Sequence, residues 1–185
     1  FQQLVLNAAK IIAAVTIPAT FFLFCSGEHI IILVYKTRRF TDESVRLTLQ
    51  AFQWHITGLF FIAVNRILTS AFYAKSDTKS PTVAGIASFG VNSALAAILA
   101  VYMQGGGIAL ALSIAGFINT ALLLFFLKKS RIVNITAFLP PALGFTAKMS
   151  LFSLIAALPL YFFAEDLYAP LIAFSAHHCA GIAAF

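Results

Sequence analysis

The sequence predicts an all-α, polytopic transmembrane helix bundle. Three observations predict it: 61% of the 185 residues are hydrophobic, only 10% are charged, and the mean hydropathy is +0.96. Soluble domains are near half apolar and a quarter charged. A globule of this length could not hide so much apolar surface from water, whereas lipid tails accept it. A spanning helix needs about 20 apolar residues, so the chain holds roughly five or six spans. It begins at Phe1 and opens and closes inside apolar runs. We therefore expect a fragment of a longer protein. The start has neither a basic n-region nor a small-residue cleavage site, so it does not read as a signal peptide.

The first span is expected over Leu4–Cys25, with Pro18 inside it. A membrane helix tolerates such a kink because neighbours re-satisfy the freed carbonyl. Ser26–Phe40 reads as a more polar connection containing a short apolar stretch, Ile30–Tyr35, with Glu28, Lys36, Arg38 and Arg39. Thr41 is an N-cap candidate, and Asp42 and Glu43 suit a helix N-terminus. The second helix should run from Asp42 to about Ala74, longer than a bilayer core needs. Lys75–Ser80 is a polar turn, and Pro81 is placed to open the third helix. No charge occurs from Pro81 to Leu127, and Gly105-Gly106-Gly107 should divide that stretch into two spans. Lys128, Lys129 and Arg131 close the fourth. Pro140-Pro141 precedes a fifth span over Leu143–Phe163. After a turn at Glu165-Asp166, a last span starts near Tyr168 and is cut off at Phe185. Residues 1–131 thus form four spans of one lobe, and residues 132–185 add two more.

Followed crossing by crossing, Lys10, Lys75, Lys79, Lys128, Lys129, Arg131 and Lys148 fall on one side of the membrane. The Gly105–Gly107 and Glu165-Asp166 turns fall on the other. The basic side should be cytoplasmic. The loop with Lys36, Arg38 and Arg39 is the exception. The net charge of +6 therefore reflects loop charge rather than nucleic-acid binding.

Arg66 is the foremost candidate for function. It lies eight residues before Ala74, about 12 Å along the helix, where a cation costs on the order of 3 kcal/mol. His55, Ile62 and Arg66, spaced by seven and four, share a helix face. A stripe of His55 and Arg66, with Asn65 adjacent, could line a cavity that receives an anionic headgroup. Arg66 could instead snorkel to the cytoplasmic interface on its long stem. Asn92 and Asn119 lie mid-span and read first as interhelical hydrogen-bonding groups, with substrate contact as the alternative. Gly85, Gly90 and Gly116 suit close helix packing.

Enzymatic signatures are missing: the sequence has no His-Glu-x-x-His, Gly-x-Ser-x-Gly, phosphate loop or Gly-x-Gly-x-x-Gly. His177-His178-Cys179 resembles a metal cluster only superficially, because neighbours on a helix point apart. Cys25 and Cys179 fit no redox or metal spacing. The 20 Phe residues are explained as lipid-facing filler. No cofactor, metal or nucleic-acid partner is expected, and the chain reads as a transporter rather than an enzyme.

Three stretches carry a resemblance to the MurJ/MviN lipid II flippase family. The longest is Arg66-Ile-Leu-Thr-Ser-Ala-Phe-Tyr-Ala-Lys-Ser-Asp-Thr-Lys-Ser-Pro81, which resembles a basic residue followed by Phe-Tyr, then Asp, Thr, a basic residue and Pro. Phe40-Thr41-Asp42 is similar to the family's Phe-Thr entry into its tenth span. Gly107-Ile-Ala-Leu-Ala-Leu-Ser is similar to the start of its twelfth, which ends in a basic cluster like Lys128-Lys129. The chain departs from the family at Arg38, where Gly is common. The resemblance extends in order and spacing through Arg131, and by position and hydrophobicity beyond it.

The resemblance implies the family's ninth to thirteenth helices and part of the fourteenth, within a two-lobed exporter of the multidrug/oligosaccharidyl-lipid/polysaccharide superfamily. It implies alternating-access flipping of lipid II, the undecaprenyl-pyrophosphate-linked peptidoglycan precursor, across the bacterial inner membrane for cell wall synthesis. The partners it implies are lipid II, membrane lipids and a missing N-terminal lobe. Arg66 matches a basic position in the family's tenth helix, and the last two helices match those associated with a lipid-tail groove. The alternatives are an exporter of another polyprenyl-linked saccharide or of a drug in the same superfamily, a membrane enzyme of envelope synthesis, and a membrane scaffold.

Overall fold

The computed structural model describes residues 1–35, 40–130 and 134–182; in the last helix, side chains are described for residues 136–163, 166 and 168–170. The described residues form five helices: α1 (Gln2–Tyr35), α2 (Asp42–Tyr73), α3 (Lys79–Met103), α4 (Gly105–Lys129) and α5 (Ile135–Ile182). Each contains a stretch long and apolar enough to cross a membrane, that of α5 being Thr136–Phe163.

The start of α2 is built as its sequence predicts. The Thr41 hydroxyl accepts from the Ser44 N–H at 3.4 Å, and Asp42 and Glu43 occupy the first turn. Glu43 also takes a two-point ion pair from Arg46, at 2.7 and 2.9 Å. The turn into α3 is capped by Asp77, which the sequence reading placed in the motif before Pro81 without giving it a capping role. One Asp77 carboxylate oxygen accepts from the Lys79 and Ser80 N–H groups at 3.1 and 3.0 Å, and the other from the Ser80 hydroxyl at 2.7 Å. These bonds satisfy donors that the first turn leaves orphaned. They start the helix two residues before the expected opener, Pro81.

Four expectations are corrected. Ser26–Phe40 is not a connection up to Tyr35, because α1 continues through Ser26, Gly27, Glu28 and His29. Ser26 is fully buried, and a Cβ on Gly27 would lie 2.9 Å from the Phe52 ring of α2. Small residues there let two helices approach, which composition alone reads as a loop. Second, the break between α3 and α4 is the single residue Gln104, at φ 49°, and Gly105–Gly107 belong to the first turn of α4. A Cβ on Gly107 would meet the Leu99 carbonyl carbon at 2.5 Å, so this glycine serves close approach. Third, α5 begins eight residues before Leu143, with Pro140 and Pro141 inside its early turns. Fourth, no turn occurs at Glu165-Asp166. One helix of 48 residues, about 72 Å long, replaces the two expected spans, so the described residues form five helices rather than six. Acidic side chains do not interrupt helical hydrogen bonding, and no Gly or Pro lies between Pro159 and Pro170. The basic loop at 36–39, the Arg131 boundary and the side chains of His177, His178 and Cys179 lie outside the described residues.

The helices form a row in the order α5, α1, α2, α4, α3; α2 scarcely touches α3, and α4 scarcely touches α5. Helices α2 and α4 run parallel. Ser113 donates to the Trp54 carbonyl and the Thr120 hydroxyl lies 3.5 Å from the Phe61 carbonyl, each across 59 residues of sequence. Helices α1 and α5 also run parallel, with Gln2 bonded to Asn134 and Cys25 facing the Ala157 carbonyl, each across 132 residues. Helix α2 is antiparallel to α1, and α3 to α4. A buried cluster of Val5, Leu6, Leu68, Phe72, Leu123 and Leu127 joins α1, α2 and α4 near the end that bears Lys75 and Lys79. In lipid such contacts stabilise through van der Waals packing rather than water release.

Candidate functional site

Helix α2 has two unlike sides. The side packed on α4 is close and satisfied. A Cβ on Gly58 would meet the Ser113 Cα at 2.7 Å. The Ser113 hydroxyl donates to the Trp54 carbonyl at 2.5 Å. Asn65 is committed to the same interface. Its Nδ2 donates to the Gly116 carbonyl at 3.0 Å, and its Oδ1 accepts from the Thr120 hydroxyl at 2.8 Å. Each group still has one donor or acceptor position in reserve.

The side away from α4 packs on α1, and a face between these two contacts is open. Arg66 is exposed there, and so is His55. Eleven residues on one helix return nearly to the same face, so the two share a stripe with about 16 Å of axial rise between them. No described contact brings them together. Beside Arg66 lie Thr69 and Ser70, the latter donating to the Arg66 carbonyl at 2.9 Å. Sequence reasoning missed both. Their offsets of three and four residues from Arg66 were the available signal.

Arg66 borders two grooves. The first, of about 320 Å³, lies between α2, α3 and α4 and brings Arg66 together with Asn65, Ser88, Asn92 and Asn119. The Ser88 hydroxyl donates to Asn119 Oδ1 at 3.3 Å, as the interhelical reading of Asn119 expects. Asn92 Oδ1 is buried with no hydrogen-bond partner among the described residues. The second groove, of about 400 Å³, runs between α1 and α2 toward Phe1 and Ala74. Among the described residues no carboxylate pairs with Arg66. An unpaired guanidinium offers five donors in a planar fork suited to phosphate. No group of three or more potential metal-ligating side chains occurs among the described residues.

A third cavity lies behind α2. It measures about 350 Å³ and is apolar except for Lys10, Thr120 and Thr146.

A family model described as lipid II flippase MurJ matches residues 1–176. A probable lipid II flippase MurJ of Treponema pallidum (strain Nichols) is 43% identical over 161 residues, covering 87% of this chain and 31% of the relative. A second, from Rickettsia prowazekii (strain Madrid E), is 30% identical over 171 residues, covering 90% of this chain and 33% of the relative. The fold resembles a solved lipid II flippase MurJ in an inward closed conformation, with a TM-score of 0.74 and 24% identity. That match covers 96% of this chain and 38% of that structure. The chain thus spans about a third of the length of the relatives it matches. With its sequence matched over nearly its whole length and its helices arranged alike, this chain belongs to the lipid II flippase MurJ family.

Proposed function

We propose that this chain is part of a transporter that flips lipid II across the bacterial inner membrane by alternating access, with the open polar face of α2 turned to the substrate's passage. The observation that carries this reading is Arg66. It is a cation within a membrane-spanning helix with no carboxylate partner among the described residues, exposed on a face with Thr69 and Ser70 and bordering a groove lined by Asn65, Ser88 and Asn92. A membrane cation usually faces a bundle interior or watery cavity. Here it would meet the pyrophosphate of a lipid-linked precursor. Asn65 would add a polar contact at the same height, and His55 would contribute further along the stripe. The distribution of Lys75, Lys79, Lys128 and Lys129 at one end supports a cytoplasmic placement of that end. The transport cycle requires the remainder of the protein, including the other lobe against which this bundle rocks.

The test is complementation by the full-length parent gene in a bacterium depleted of its own flippase, scored by growth and by exposure of lipid II on the outer leaflet. Rescue by the parent supports the substrate assignment. Failure of Arg66→Ala to rescue, at normal membrane abundance, supports the cavity role of Arg66, and full rescue by that variant refutes it. Failure of the parent itself, with protein present in the membrane, redirects the substrate to another lipid-linked saccharide.

A further inference from the structure

The cavity behind α2 is bounded by four helices. Phe60, Val64 and Leu68 of α2 line it, with Phe117 and Leu124 of α4 and Leu139 of α5 among the facing side chains. It exists because α5 packs along α1 and scarcely touches α4, leaving a lateral slot between α4 and α5. Val64 and Leu68 are each two residues from Arg66, hence on roughly the opposite side of α2. A molecule whose headgroup sits at Arg66 therefore does not occupy this slot with the same reach.

Three polar side chains line the slot, and two are internally satisfied. Thr120 donates within the α2–α4 interface, and Thr146 donates to the Leu143 carbonyl at 2.9 Å. Lys10 has no oxygen partner among the described residues; its one described contact is the Phe145 ring, 6.0 Å from the ammonium. A second cation stands further toward the end that bears Lys75 and Lys79. Phe117, Ala121, Leu124 and Lys128 follow helical spacing along one face of α4, so Lys128 continues the stripe that lines the slot. The 59-residue offset between α2 and α4 sets Lys128 at the height of Thr69. Ile67, one turn or less away, lines the slot beside Ala9 and Lys10. The slot is thus an apolar pocket, within the volume range of ligand sites, with Lys10 midway along its wall and Lys128 just beyond its lining on the side toward Lys75 and Lys79.

We propose that this slot holds one anionic glycerophospholipid of the cytoplasmic leaflet, an acyl chain lying among the apolar side chains and the phosphate held by Lys10 and Lys128. Charge complementarity selects the occupant: a half-buried cation in an apolar wall without a carboxylate calls for an anion, and the cytoplasmic surface supplies anionic lipid. The site is separate from the proposed transport face and does not depend on what is transported.

The experiment uses the full-length parent protein in nanodiscs containing equal phosphatidylglycerol and phosphatidylcholine, with retained lipids counted by native mass spectrometry. One retained phosphatidylglycerol is expected, preferred by about 25-fold if each lysine contributes about five-fold. Lys10→Gln combined with Lys128→Gln should reduce that preference to near unity. Ala121→Trp, which fills the slot without altering charge, should abolish retention of either lipid. Lys129→Gln removes an adjacent charge pointing elsewhere and should leave the preference intact. The proposal is overturned by equal retention of both lipids, by a preference that survives the double substitution, or by an equal loss in Lys129→Gln. It is also overturned if the retained species is a polyprenyl phosphate.

Discussion

Replacing Gly58 by Ala tests the packing that holds α2 against α4. An added Cβ would lie 2.7 Å from the Ser113 Cα and 2.8 Å from its Cβ. The obstacle is backbone, so no rotamer change relieves it and the helices must separate. In an open helix position, Gly→Ala gains about 1 kcal/mol of helix propensity. Overpacking costs about 1–3 kcal/mol. Separation also stretches the Ser113 to Trp54 bond, and interhelical bonds in membranes average about 0.6 kcal/mol. The net expectation is destabilisation by about 1–3 kcal/mol. Gly85, Gly90 and Gly144 serve as comparisons, because nothing lies within 4 Å of a Cβ added at any of them, so Gly85 and Gly90 do not serve the close packing expected of them, whereas Gly116 faces Ile62. The assay is thermal unfolding of the purified full-length protein in detergent, with all four Ala variants measured at one scan rate. Gly58→Ala should melt below the parent and below all three comparisons. A Gly58 variant as stable as Gly85→Ala would refute the close approach of α2 and α4.

Gly107→Ala should destabilise similarly, because its Cβ would enter the Leu99 backbone; the same melting series checks it, and a neutral result would refute the tight α3–α4 hairpin. Thr120→Val removes a donor to Asn65 and should cost about 0.6 kcal/mol, at most about 1.7, measured by reversible unfolding in mixed micelles. The Asp77 carboxyl is held below its ordinary value, chiefly by the Ser80 N–H and hydroxyl and also by the Lys79 N–H and nearby charge. Because the folded value is the lower one, its contribution is complete above about pH 4. It is lost as pH falls through the folded value. The melting gap between parent and Asp77→Ala should therefore be constant from pH 7 to about 5 and close in stronger acid; a gap that widens in acid would contradict the capping role.

What was legible in the sequence was what local chemistry decides. The Thr41 cap depends on residues three apart, and the polar turn before Pro81 depends on six consecutive residues, so both could be read directly. The division of residues 81–127 into two helices was legible too, though the broken residue proved to be Gln104 rather than a glycine. Packing decided the rest. Ser26-Gly27-Glu28-His29 reads as a loop by composition, yet Ser26 is buried and Gly27 faces Phe52 inside a continuous helix. Glu165-Asp166 reads as a turn by charge, yet nothing there interrupts the helix. The parallel pairing of α2 with α4 joins residues 59 apart in sequence and leaves no local mark. For the same reason the commitment of Asn65 to Gly116 and Thr120 was not foreseen beside its neighbour Arg66.

The two faces of α2 explain why periodicity gave so little guidance about Arg66. In water, an amphipathic helix separates apolar from polar residues because only one face is buried. In a membrane bundle, the face packed on another helix can be the one with small and hydrogen-bonding residues. Here Gly58 and Asn65 make that contact. The face beside it carries Arg66 and Ser70, with Thr69 and Ile62 at its border with α4. Polar residues thus occur on both sides for different reasons, and the usual stripe is blurred. The faces are told apart by satisfaction rather than polarity: Asn65 has interhelical partners, whereas Arg66 has no carboxylate among the described residues. Arg66→Ala should therefore leave thermal stability nearly unchanged while removing transport, and Asn65→Ala should lower both. If Arg66→Ala instead melts well below the parent, Arg66 is a packing residue, and the open face of α2 is not where the headgroup passes.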